Sequence, residues 1–132
     1  MTIPTIIEFT DNELLVIRLS GSVDRETLQE LALKLNRIEA GREYSKYLIY
    51  VENITSAAIK SEDAIFYRNQ LRERHLAGKA ALCAFNDFQF GMARMFQSIL
   101  ESELLTLEIF RDIESAAQWL EIDTAILSSL EL

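Results

Sequence analysis

Leu14-Leu-Val-Ile-Arg-Leu-Ser-Gly-Ser-Val-Asp-Arg-Glu-Thr-Leu-Gln-Glu-Leu-Ala-Leu-Lys-Leu35 holds the change of period that decides the fold class. From Leu14 to Leu19 the run is dense in apolar residues and reads as a strand. After Gly21 the apolar positions Leu28, Leu31, Ala32, Leu35 and Ile38 recur at helical spacing. Asp24 is placed to accept from the first free backbone N–H groups of that helix, and Gly41 to stop it. Upstream, Thr5 to Phe9 is a second strand. The polar stretch Thr10-Asp11-Asn12-Glu13 between the two suits a hairpin.

The same cadence continues to Leu120. Tyr47 to Val51 is a continuous apolar run that fits a central parallel strand and leaves through Glu52-Asn53-Ile54-Thr55. Ser61 is placed to cap the next helix, with Glu62 and Asp63 in its first turn and Gly78 at its end. Lys79 to Phe85 is the next strand, and Met92, Met95, Phe96, Ile99 and Leu100 then mark a helix starting at about Met92. Leu105 to Phe110 is the last strand. Asp112 caps a helix whose Ala116, Ala117, Trp119 and Leu120 face the sheet, and the tail from Asp123 to Leu132 is a short helix or a docked extension. The predicted order is ββαβαβαβα: an α/β fold with a single mixed, mostly parallel sheet of five strands and about four crossover or flanking helices. No linker or low-complexity tract divides residues 1–132, so one domain is expected.

Composition narrows the function classes. Thirteen basic and 21 acidic residues give a formal net charge of −8, which repels phosphate backbones and anionic headgroups, so nucleic acid is not an expected partner. The single cysteine, Cys83, lies in an apolar run and cannot form an internal disulfide, which suits a reducing cytoplasmic setting. The opening Met1-Thr-Ile-Pro4 has no basic lead into an apolar run. No stretch is long and apolar enough to span a membrane, so neither leader nor membrane span is expected.

Two stretches resemble a known family. Arg18-Leu-Ser-Gly-Ser-Val-Asp-Arg-Glu-Thr27 is similar to the opening of STAS domains, in which a strand ends in glycine and an acidic residue opens the first helix. Ile109-Phe-Arg-Asp-Ile-Glu-Ser-Ala-Ala-Gln-Trp-Leu120 resembles the closing strand and helix of the SpoIIAA-like branch, the anti-sigma-factor antagonists. The element order between them agrees. The resemblance implies a regulatory domain that works through protein contacts and, in that branch, a phosphorylated serine opening the helix after the second parallel strand. Ser61 occupies that place and is the candidate phospho-acceptor. It follows Lys60 rather than aspartate, and Glu62 and Asp63 would repel a phosphate, so a capping role for Ser61 is the stronger expectation. No glycine-rich phosphate loop is present, and no cofactor is expected.

Catalytic chemistry has little to stand on. The sole histidine, His75, sits in Arg72-Glu-Arg-His-Leu76 without a second histidine, paired cysteine or nucleophile elbow, so neither catalysis nor a metal site is expected. The carboxylates Glu62, Asp63, Glu101, Glu103 and Glu114 fall at helix ends or faces and form no evident pair. Richer is Phe85-Asn-Asp-Phe-Gln-Phe-Gly-Met-Ala-Arg-Met-Phe96, which follows the carboxyl end of a central strand, the rim where open α/β sheets bind ligands. Met92, Met95 and Phe96 belong to the helical core stripe. Phe88 and Phe90 precede that stripe and, with Arg94, are the candidate partner or ligand surface. Arg68, Arg72, Arg74 and Lys79 form a second, basic set that reads as a solvated face. The expected function is a non-catalytic regulatory or protein-interaction module, with a protein partner or self-association. The alternative is a carrier of a small apolar ligand or lipid, because the wider fold resembles the lipid-binding CRAL-TRIO domains.

Overall fold

The computed structural model describes residues 5–9, 13–37, 44–57, 60, 62–63, 65–66, 69, 78–101 and 105–129. In chain order the elements are β1 (Thr5–Phe9), β2 (Leu14–Val23), α1 (Arg25–Asn36), β3 (Lys46–Ala57), β4 (Gly78–Cys83), α2 (Asp87–Leu100), β5 (Leu105–Phe110), α3 (Ile113–Leu120) and α4 (Thr124–Ser129). Between β3 and β4, residues 62, 63, 65, 66 and 69 have helical backbone. One sheet holds all five strands in sequence order; β1 pairs antiparallel with β2, and β2 to β5 are parallel. The mixed sheet and the alternation read from the sequence are therefore those of the molecule.

Strand order explains where the helices lie. Each parallel step advances in the same direction, so right-handed crossovers put successive helices on one face. On that face Leu28, Leu31, Ala32 and Leu35 of α1 and Phe96 of α2 bury against Leu15, Ile17, Tyr47, Ala80 and Leu107. Among the described residues, the opposite face is covered by α3 and the segment beyond it, which fold back after β5 over Leu14, Val16, Leu48, Tyr50, Ala81 and Cys83. Alternation along each strand feeds both cores: Leu14 and Val16 point one way, Leu15 and Ile17 the other.

Capping agrees with the sequence in two places. Asp24 accepts from Thr27 N–H at 3.0 Å while Thr27 Oγ1 accepts from Asp24 N–H at 3.3 Å, a reciprocal capping box. Asp112 accepts from Ser115 N–H at 2.7 Å. The backbone N–H of Thr27 or Ser115, and after it the hydroxyl of the same residue, donate to these carboxyls and hold both below their ordinary value.

Several boundaries differ from the sequence expectation. α1 stops at Asn36 with Arg37 as its C-cap, short of Gly41, which lies outside the described residues together with Ile38. β3 continues through Glu52-Asn53-Ile54-Thr55 to Ala57 because β2 also runs on, and the two stay paired as far as Val23 and Ala57 across register shifts beside Gly21. Polar residues can extend a strand wherever a neighbouring strand supplies the backbone partners. Gly78, expected at the end of the preceding helix, opens β4 instead, with φ +114° and Ser45 O where a Cβ would sit. Finally, β4 ends at Cys83, and α2 starts at Asp87, well before Met92.

The outer strand β5 has one further contact. Phe110 O accepts from Ala84 N–H at 2.8 Å, so its peptide faces β4. The alternation of the strand then turns the Leu107 carbonyl to the open edge, where the Gln97 side chain of α2 donates to it at 2.9 Å.

Candidate interaction surface

The stretch singled out in the sequence forms the carboxyl rim of β4 and the first two turns of α2. Asn86 has extended backbone and caps the helix, accepting from Gln89 N–H at 2.8 Å. Gln89 is buried and turns its carbonyl back onto Phe85 N–H, also at 2.8 Å, which fixes the angle at which strand passes into helix. An Asn-x-x-Gln pattern is the sequence signal that announces this start. The apolar stripe beginning at Met92 hides it.

This early start relocates the two candidate phenylalanines. Both belong to the first turn of α2 instead of a loop before it. Phe88 is 58% exposed and Phe85 44%, two of four large hydrophobic residues exposed among the described ones. Phe90 is half-buried, and its ring is flanked by two guanidinium groups, Arg111 at 4.2 Å and Arg94 at 5.5 Å from the centroid. Arg94 also donates to Gln97 Oε1 at 3.3 Å. Arg111, in the turn after β5, pairs with the exposed Asp87 at 3.1 Å. The structure thus brings Phe90, Arg94 and Arg111 together and leaves Phe88 and Phe85 exposed on the same helix start. No local pattern pointed to Arg111, because it reaches the patch from the neighbouring strand.

Gly91 completes the face. It is exposed in the second turn of α2, and a Cβ built on it would meet nothing within 4 Å. On a helix its surface neighbours are the residues three and four positions away: Asp87, Phe88, Arg94 and Met95. The patch therefore has a bare backbone at its middle, with an exposed ring on one side and a cation on the other.

A second spot lies near the start of the middle crossover. Arg25 sits 4.9 Å from the centroid of the Phe66 ring and 3.7 Å from Asp63, and Ile65 beside them is 42% exposed. Lys60 N–H donates to Asp63 Oδ2 at 3.1 Å. Ser61, the candidate phospho-acceptor, lies outside the described residues, as do Arg68, Arg72, Arg74 and His75.

Cys83 fills the face under α3. It is fully buried among Ala81, Ala116 and Ala117, and burial, with a smaller contribution from the charge of Asp112, pushes its thiol up to about 12. Among the described residues no group of three histidine, cysteine or acidic side chains is arranged to hold a metal ion. None of their helices is long and apolar enough to cross a membrane.

No protein-family model matches the chain, and no curated protein matches it. Solved structures do. A protein of the DUF3478 family from Shewanella loihica PV-4, described as having a SpoIIAA-like fold, superposes with a TM-score of 0.60 at 17% identity over 91% of this chain and 95% of its own. The anti-sigma factor antagonist SpoIIAA, in its unphosphorylated form, superposes with a TM-score of 0.55 at 16% identity over 89% of this chain and 97% of its own. The likeness spans nearly all of each molecule, and the chain has the SpoIIAA-like fold.

Proposed function

We propose that this chain is a non-catalytic regulatory module of the STAS type, acting in the cytoplasm by presenting a surface to a protein partner. The observation that carries the reading is the exposed aromatic pair Phe85 and Phe88 at the carboxyl rim of β4, next in the chain to Phe90, whose ring is flanked by the Arg94 and Arg111 guanidinium groups. Single exposed apolar residues are ordinary. Two phenylalanines within one turn, bordered by arginine, have the aromatic and arginine content of interface hot spots. The SpoIIAA-like fold supports a role of this class, and an anti-sigma factor antagonist is among its solved members.

Site-specific photo-cross-linking tests the reading. A benzophenone amino acid placed at position 88 in the full chain, expressed in its native host, is expected to give a discrete protein adduct. The same probe at the exposed Gln118 of α3, away from the patch, serves as the control. Adducts at both positions alike, or none at position 88, would overturn the reading. Native mass spectrometry of the purified protein separates the carrier alternative: a retained small molecule of constant mass supports the carrier and counts against the module.

A further inference from the structure

Gly91 is unexplained by the packing of the described residues. Mid-helix glycine costs stability relative to alanine because it loses more backbone freedom on folding, and folds keep it where a backbone must come close. Here nothing among the described residues comes close: Gly91 is exposed, its backbone is ordinary helix, and an added Cβ would meet none of them within 4 Å. The residues around it are the other half of the observation. Phe88 stands three positions before it, Arg94 three after and the half-buried Met95 four after, so a flat notch separates an apolar ring from a cation. Arg111 approaches from the turn after β5, and with both guanidinium groups stacked near the Phe90 ring their charge is held at one end of the notch.

We propose that this face of α2 receives a segment of a partner polypeptide that carries carboxylates beside aliphatic side chains, its backbone crossing at Gly91. The inference rests on the interaction reading above and names the chemistry of the partner. Charge fixes the choice. On a chain of net charge −8, Arg94 has no carboxylate partner among the described residues and Arg111 has the exposed Asp87. Of the nearby carboxylates, Asp112 is committed to its cap, while Asp87 pairs with Arg111 on the open surface, where such a pair is weak and exchangeable. An acidic segment is repelled by the rest of the surface and attracted at this end of the notch, which sets its position and direction. Its aliphatic side chains lie against Phe88 and Met95, and the missing Cβ at position 91 admits its backbone.

The test uses three synthetic helical peptides with identical leucine positions, the remaining positions being mostly Glu, Lys or Gln, titrated into the 15N-labelled full chain. The Glu peptide is expected to shift the amides of Phe88, Gly91, Arg94, Met95 and Arg111, and to bind about tenfold or more tightly than the Gln peptide, with the Lys peptide weakest. Gly91→Gln is expected to melt roughly 2–5 °C above the parent, since glutamine is the better helix former and has room, yet to lose about tenfold or more in affinity for the Glu peptide. Gain in stability with loss of binding is the signature that a structural role for Gly91 does not produce. Equal affinity for the Glu and Lys peptides, shifts centred elsewhere, or undiminished binding by Gly91→Gln would each overturn the proposal, as would failure of the Glu peptide to bind. Shifts at these amides that grow with protein concentration alone would make the occupant a second copy and also overturn it. A discrete protein adduct at position 88 together with failure of the Glu peptide rejects the acidic partner and leaves the interaction reading standing.

Discussion

Helices α2 and α3 follow adjacent parallel strands and begin alike, each with an amide or carboxylate side chain accepting from the backbone N–H three residues on. They differ in that α2 carries one small residue on its outer face as well. α3 turns Ala116 and Ala117 inward, both buried, against Ala81 and Cys83 of β4. Small side chains on both surfaces let the helix lie close to the sheet, and the close approach is the purpose they serve. α2 likewise buries a small residue, Ala93, together with Phe96 and the half-buried Met92 and Met95, but it also turns its smallest residue, Gly91, outward. The same economy of side chain that has an evident partner in α3 has none among the described residues at Gly91. The contrast teaches that a small residue on a helix should be read with its surroundings before it is assigned to the core.

Filling the inner notch should have the largest effect. Ala117→Leu forces a four-carbon side chain against Ala81 and Cys83, and a packed core charges about 1–3 kcal/mol for such an intrusion. Urea unfolding is expected to show that loss. Native-state labelling of the Cys83 thiol, slow in the parent because the group is buried and its acidity suppressed, is expected to accelerate. A variant that keeps both its stability and its slow labelling would break the comparison at its better-understood end.

Filling the outer notch should do the opposite. Gly91→Ala is expected to stabilise by roughly 0.5–1 kcal/mol, the helix-propensity difference, because a Cβ there meets nothing. Chemical denaturation measures it directly. Destabilisation instead would place Gly91 against some part of its own chain and remove the contrast.

The smallest effect separates the caps. Asp24 and Asp112 both titrate below their ordinary value when folded. A carboxyl whose folded pKa lies below its unfolded one contributes fully above the unfolded value, near 3.9, and loses that contribution as pH falls through the folded value. Stability is therefore expected to drop below about pH 4, and Asp24→Asn with Asp112→Asn, which keeps both caps without a titrating group, should flatten that part of the profile. Cap Asn86 of α2 does not titrate, so α3 should fray before α2 as acid is added, visible in amide exchange. The reverse order would show that the caps do not govern the two starts.

Much of this architecture was readable in advance, and the reasons differ from place to place. β5 spans Leu105 to Phe110 and α3 is capped at Asp112 as the sequence indicates, because there the apolar pattern, the cap and the turn coincide. The start of α2 was obscured because its first turn exposes Phe88, so that apolar periodicity begins a turn late; Asn86 and Gln89 carried the signal instead. The extension of β3 through Glu52 to Ala57 depends on β2 lying beside it, a fact no local pattern contains. Phe88, Phe90 and Arg94 were legible as surplus to the core stripe. Gly91 was not, because pattern reading looks for side chains, and Arg111 was not, because only the pairing of β4 with β5 brings it to the patch.

The contact from Gln97 to the outward carbonyl of Leu107 bears on how these molecules behave when crowded. A parallel sheet of this order ends in a strand whose outer row of amides and carbonyls is a template for another chain, and unprotected edges of that kind seed aggregates. Here the helix that precedes the strand reaches across to occupy one of those acceptors, and exposed Thr106 and Glu108 keep the neighbouring surface polar. A foreign strand arriving at β5 must first displace an amide already in place and then come to rest beside a carboxylate. Recognition is thereby steered away from backbone pairing at this border, which any extended peptide could satisfy, towards side chains, which few can.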